Sequence, residues 1–266
     1  MDRGMGVIKP IGVGQLLFAI AMAVFGIQYL HYGKYVGGLP PVPPWAPGGA
    51  TGAYLVGVAL IVTAVSLAIR KKAQLSALVI GGLFLFCVIF LHLQHFGEVV
   101  HDGIGRTRAF EPFALAGAAF ALAGVLPGGG VARSADGGKL VLIGRLVLGV
   151  SMVIFGWQHF LYATFLVTLV PAWFPAHAFW IYFTGTGMIV AGLAIAVNIL
   201  GSVAAAGLAL MFGLWVLVLH GPRVIAHPHN GDEWSSLFVA LAFCGASLIL
   251  CGALPATGNW PKGVAA

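Results

Sequence analysis

Phe25-Gly26-Ile27-Gln28-Tyr29 and Phe155-Gly156-Trp157-Gln158-His159 are one five-residue phrase met twice, 130 positions apart. Pro44-Trp45-Ala46-Pro47 returns as Ala172-Trp173-Phe174-Pro175, and Tyr54 and Gly57 return as Tyr182 and Gly185, now 128 apart. Setting Phe113 against Phe238 brings the spacing to 125. A drift this small is a handful of loop insertions and deletions with the order of elements unchanged, so the chain reads as one unit written twice.

What kind of unit follows from composition. Hydrophobic residues make up 60% of the chain and charged residues 8%, with a mean hydropathy of +1.02. A soluble domain carries about 25% charged residues. A chain this poor in charge cannot clothe a water-facing surface, and it reads as an integral membrane protein. Hydropathy predicts eight spans, near Ile11–Leu30, Thr51–Ile69, Ala73–Leu93, Phe110–Leu126, Leu146–Phe165, Phe179–Leu200, Val203–Leu219 and Trp234–Leu254. Most approach the roughly 20 apolar residues that cross about 30 Å of hydrocarbon. The fourth is the weakest, with Glu111 and Pro112 at its expected start, where proline is tolerated because the first-turn N–H has no partner anyway. Four spans per repeat is an even number, so both copies enter and leave on one side and form a parallel repeat. The expected fold is all-α: eight transmembrane helices as two parallel four-helix repeats, residues 1–127 and 140–266, joined by a Gly-rich linker at 128–139. Small-residue faces such as Gly117/Ala121 and Gly245/Gly252 are expected to carry the helix packing.

Charge predicts orientation. With the N-terminus in the cytoplasm, nine of the 13 basic residues fall inside, including Arg70, Lys71, Lys72, Lys139 and Arg145, and four fall outside: Lys34, Arg106, Arg108 and Arg223. The positive-inside rule then places both termini in the cytoplasm of a bacterial-type inner membrane. The +6 net charge is a topology signal, and no basic cluster suits a nucleic acid. Arg3, Lys9 and Ala19-Ile20-Ala21 imitate a signal peptide, but the first span is a copy of the fifth, and cleavage would amputate it. Cys87, Cys244 and Cys251 lie in spans with no Cys-x-x-Cys, which disfavours a disulfide or a thioredoxin-like role.

All nine histidines fall at the expected outer side. Gln28 and His31, His92 and His95, Gln158 and His159, and His220 mark the outer ends of alternate spans. Polar groups in a membrane are costly and usually face a bundle interior or a wet cavity. The plainest reading is that they satisfy backbone groups and one another. A quinone pocket needs an apolar slot with hydrogen-bonding groups at the two carbonyls. Gln158, His159, Trp157, Trp173 and His177 fit in the second repeat, with Gln28 and His31 at the related end of the first. A haem site would draw two ligands from His31, His92, His95, His159 and His220, though the spacing specifies no pair, and a metal site would draw on His92, His95 and His220. His227-Pro228-His229-Asn230-Gly231 has metal-binding residue types, but its spacing suits a hydrated turn better. The Pro-Trp segments read as interfacial anchors or as lids over pockets, and Gln94–Ala109 and Gly221–Glu233 read as long outer loops.

Arg145-x-x-x-Gly149, Phe155-Gly156-x-Gln158-His159-Phe160 and Pro171-x-x-x-Pro175, followed by a Gly-rich span, resemble the DoxX-like membrane proteins. Repeat two matches best, near Leu140–Leu254. Repeat one keeps Phe25-Gly26 and Gln28 but lacks the arginine. The resemblance implies a tandem fusion of two four-helix units linked to redox metabolism. It carries no catalytic residue over to this chain. The expected function is a membrane component of a redox system that binds a quinone or another lipophilic molecule near the outer leaflet. The alternative is a non-catalytic accessory subunit of a larger respiratory or photosynthetic complex. Membrane lipid and a membrane-protein partner are the expected neighbours, and a transporter is a third reading.

Overall fold

The computed structural model describes residues 5–127 and 135–255. Among them every regular element is helical, and eight helices are long and apolar enough to cross a membrane. The chain is a multi-pass membrane protein. α1 (Met5–Tyr32) and α2 (Gly49–Ala68) are the first two spans. The third begins as α3 (Ala73–Cys87), widens into a π-helical turn at Val88–His92, tightens at Leu93–His95 and ends as α4 (Phe96–His101). α5 (Gly103–Val125) is the fourth, and α6 (Ala135–Leu161), extended by the short α7 (Ala163–Val167), is the fifth. α8 (His177–Val197) is the sixth. α9 (Gly201–Leu214) passes through a second π turn at Trp215–His220 into α10 (Gly221–Ala226), and α11 (Gly231–Ala253) closes the bundle.

Two expectations change. The fourth span starts at Gly103, not Phe110, because Asp102 supplies an N-cap: its carboxylate accepts the Gly105 N–H at 2.6 Å. Glu111 and Pro112 therefore sit about two turns inside the helix. The two expected long loops are also mostly helix. Arg106 turns its guanidinium back onto the carbonyls of Val99 and Val100, closing the end of α4, and Asn230 caps α11 through the Asp232 N–H. Of the expected linker, residues 128–134 lie outside the described residues, and α6 already begins at Ala135.

Helices approach one another through glycine. A Cβ on Gly144 would lie 2.3 Å from the Gly117 carbonyl and 2.7 Å from Ala121, so α5 and α6 can meet only if that position is bare. On the other side of the bundle, Gly245 of α11 faces the Gly14 carbonyl of α1 at 2.8 Å in the same sense. These are the small-residue faces the sequence points to. They matter because lipid is as apolar as leucine, so close backbone packing, not expulsion from water, holds such helices together. α1 packs on α2 and α11, α6 packs on α8 and α5, and α5 and α11 meet at the centre. A Cβ on Gly252 would touch Ile11, so the first and last helices share the end that carries Arg70, Lys71 and Lys72. The histidines gather at the opposite end.

Backbone features recur between the halves. Arg70 and Lys72 adopt positive φ before α3, and Asn198 and Leu200 do so before α9, each pair 128 residues apart. The π turns end at His92 and His220, also 128 apart, and α5 and α11 begin at Gly103 and Gly231. This spacing sets Phe110, not Phe113, against Phe238.

Candidate functional site

The glutamines shared by the two halves are structural ties. Gln158 Nε2, on α6, donates to the Gly103 carbonyl and to Thr107 Oγ1 at the start of α5, both at 3.0 Å. Gln28 Nε2, on α1, donates to the Gly231 carbonyl at 3.4 Å and Ser235 Oγ at 3.3 Å at the start of α11. Gly103 and Thr107 stand 128 before Gly231 and Ser235, so each glutamine fastens the matching helix start in the other half. Gln158 thus faces the seam between the halves, away from His159.

In the first half the proline-rich segment is packed into the bundle. Leu39, Val42 and Ala46 are buried. Tyr29, fully buried on α1, donates its hydroxyl to the Leu39 carbonyl at 2.9 Å and receives the Val42 N–H at 3.3 Å. His92, at the end of the π turn, places Nε2 3.3 Å from the Pro41 carbonyl. Tyr35 packs edge-on against Tyr29, and burial pushes its phenol pKa up, with the Cys87 thiol adding to the effect. The remaining clefts beside the loop, lined by Pro43, His92, Arg108 and Glu111 among others, leave room for about one water each. The slot formed by α1 and the third span is therefore filled by an apolar segment whose carbonyl oxygens meet Tyr29 and His92.

The second half has the same frame with other side chains. His159 stands where Tyr29 does, in the repeated phrase, and His220 ends the second π turn as His92 ends the first. Trp215 begins that turn and stacks on His159, with ring centroids 6.0 Å apart. His159 Nδ1 lies 2.8 Å from the Phe155 carbonyl, which fixes the proton there and leaves Nε2 as a lone pair. His220 Nδ1 is buried and has no hydrogen-bond partner. Among the described residues no hydrogen bond joins the Pro-Trp segment to either histidine, unlike the bonds of Tyr29 and His92 to the first loop. Trp173 is 64% exposed and makes a ring contact with Phe174.

The other expected site residues scatter. His31 is exposed beside Tyr32, and His177 opens α8. Trp157 lies over Arg106, and neither it nor Trp173 or Gln158 joins His159. His92 and His95 belong to the third span and His220 to the seventh, and among the described residues no group of three or more His, Cys, Asp or Glu side chains is placed to hold a metal. The expected trio is therefore not brought together. His95 instead lies against Trp45 and 3.5 Å from Glu98. His227 and His229 are exposed between α10 and α11. Trp215 is the participant that sequence reasoning missed. Its only signal was an aromatic residue five positions before His220, inside an apolar span.

No family model matches this chain, and neither a curated protein nor a solved structure matches it significantly. The likeness to DoxX-like units rests on the residues quoted above.

Proposed function

We propose that the chain is a DoxX-like membrane component of a redox system and that it binds a quinone between α6 and the seventh span, at the histidine end. The observation that supports this is the contrast between the halves. In the first half, a slot built by Tyr29 and His92 holds an apolar segment by its carbonyl oxygens. Reading the halves as copies of one unit, His159 and His220 stand at the equivalent place, and no hydrogen bond among the described residues ties the local Pro-Trp segment to either. A quinone is an apolar ring with carbonyl acceptors, the chemistry the first slot already holds. The indole of Trp215 offers the ring a stacking wall. His159 Nε2 is an acceptor in its present tautomer and so suits the hydroxyl of the reduced form, while His220 Nδ1 is free to serve the other oxygen.

Purified protein can be extracted for bound quinone and titrated with a soluble short-chain quinone, following Trp fluorescence. His159→Leu and His220→Leu should each weaken binding, by about tenfold for a lost hydrogen bond to an otherwise buried group. A protein that neither retains nor binds quinone, with both variants indistinguishable from the parent, would sink this reading.

The second reading, a non-catalytic subunit of a larger complex, draws on the periphery. Only 28% of the membrane-spanning window is buried in α8 and in the α9–α10 span, against 61% in α5. The sixth and seventh spans are therefore free to meet lipid or another protein. Co-purification of stoichiometric partners in mild detergent would favour that reading, and a protein that runs alone would count against it.

A further inference from the structure

Arg106 caps α4, but the fold does not need a charge for that task. At the position 128 residues later, Trp234 makes a comparable bond with a neutral indole: its Nε1 donates to the Pro228 carbonyl at 2.9 Å. In the first half the same place holds an arginine that is only 7% exposed. Its Nε donates to the Val99 carbonyl at 3.1 Å and Nη2 to the Val100 carbonyl. Its Nη1 is buried with no hydrogen-bond partner. No carboxylate among the described residues lies within salt-bridge distance of it. Asp102, one turn earlier, is committed to the Gly105 N–H.

An unpaired buried cation costs several kcal/mol. Carbonyl dipoles and the face of Trp157, 5.0 Å from the guanidinium carbon, offset part of that cost, but they supply no counter-charge. The surroundings indicate where a counter-charge would come from. Trp157 is 44% exposed, and Phe96, Val100 and Ile104 are exposed apolar side chains on α4 and the first turn of α5. The corner lies at the end of the bundle, where apolar side chains give way to the polar turn at His101 and Asp102. An amphiphile with its phosphate at Arg106 and its chains over Phe96, Val100 and Ile104 satisfies both parts. The start of α5 adds the positive end of a helix dipole.

We propose that Arg106, beneath Trp157, is a binding site for the phosphate of an anionic membrane lipid. The site lies on the seam between the halves, since Gln158, next to Trp157, ties α6 to Gly103 and Thr107 on either side of Arg106. It is independent of the quinone reading.

The test compares phosphatidylglycerol, phosphatidylcholine and inorganic phosphate added to the detergent-solubilised full chain, with thermal unfolding and lipid retention in native mass spectrometry as readouts. Phosphatidylglycerol is expected to raise the unfolding temperature and to be retained, and the other two are not. Arg106→Trp, which copies the residue the second half uses, should keep the fold and weaken retention on the order of fivefold, the effect of one arginine at an anionic surface. Arg106→Gln serves as the second variant, read by retained lipid alone. An equal response to inorganic phosphate would overturn the lipid assignment. Unchanged lipid retention in both variants, or no retention by the parent, would overturn the site.

Discussion

At the scale of single residues, Tyr29 and His159 show how one substitution changes what a shared position does. The phenol reaches two backbone groups of the loop and buries fully, whereas the imidazole turns to its own helix and to Trp215. Tyr29→Phe leaves the Val42 N–H and the Leu39 carbonyl without their partner and should cost about 1–3 kcal/mol, read as a lower unfolding temperature. His159→Phe should cost less stability, since its ring bond is to a helical carbonyl already engaged within the helix. Tyr35, outside the spans, gives a pH signature. Its phenol pKa is raised by burial, so the folded state favours the neutral form. Its contribution is present below the unfolded phenol value, about 10, and is lost as pH rises through the higher folded value. Alkaline titration of unfolding should therefore show a loss above that point that Tyr35→Phe removes; a Tyr35→Phe variant with an unchanged alkaline profile would refute the assignment. The sequence revealed that Gln28 and Gln158 are equivalent, because both sit in the repeated phrase. It did not reveal that they point across the seam, because the direction of a side chain depends on which helix lies opposite.

At the scale of elements, hydropathy located all eight spans, since each is a long apolar run, but misjudged where the fourth begins. Histidine, glutamate, aspartate and arginine between Gln94 and Ala109 lower the local hydropathy and imitate a loop. Local hydrogen bonding decides otherwise, with Asp102 capping one helix and Arg106 closing the other. Asp102→Ala should cost about 1 kcal/mol through the lost cap and loosen the α4–α5 corner, measured as faster amide exchange at Gly103–Arg106. The glycine faces were legible because small residues in apolar helices have few other uses. Gly144→Leu drives a side chain into the Gly117 carbonyl and should destabilise by about 1–3 kcal/mol or prevent folding. Gly207→Leu, on a face with open space, should be neutral in the same thermal assay. Both π turns close on a histidine, and periodicity could not foresee them, because one extra residue per turn leaves no mark on an all-apolar stretch.

At the scale of the whole molecule, the number of spans was readable from composition and the arrangement was not. The 125 spacing expected for the last span of each half becomes 128 once α5 and α11 are aligned by their starts, Gly103 and Gly231. The two glutamine ties have a consequence for the history and the assembly of such a chain. Each half secures its helix start with a residue it does not own, so a lone four-helix unit would be incomplete and would close its open face on a second copy, as an isologous dimer does. Residues 1–127 and 128–266 expressed as separate chains should therefore co-purify, and Gln28→Leu with Gln158→Leu should weaken their association while the glycine faces still hold it; independent migration of the unmutated halves would refute this. Covalent fusion of such a dimer frees the partners from identity: one half can wall up the space beside its π turn with its own loop while the other puts different side chains, His159 and Trp215, in the matching place.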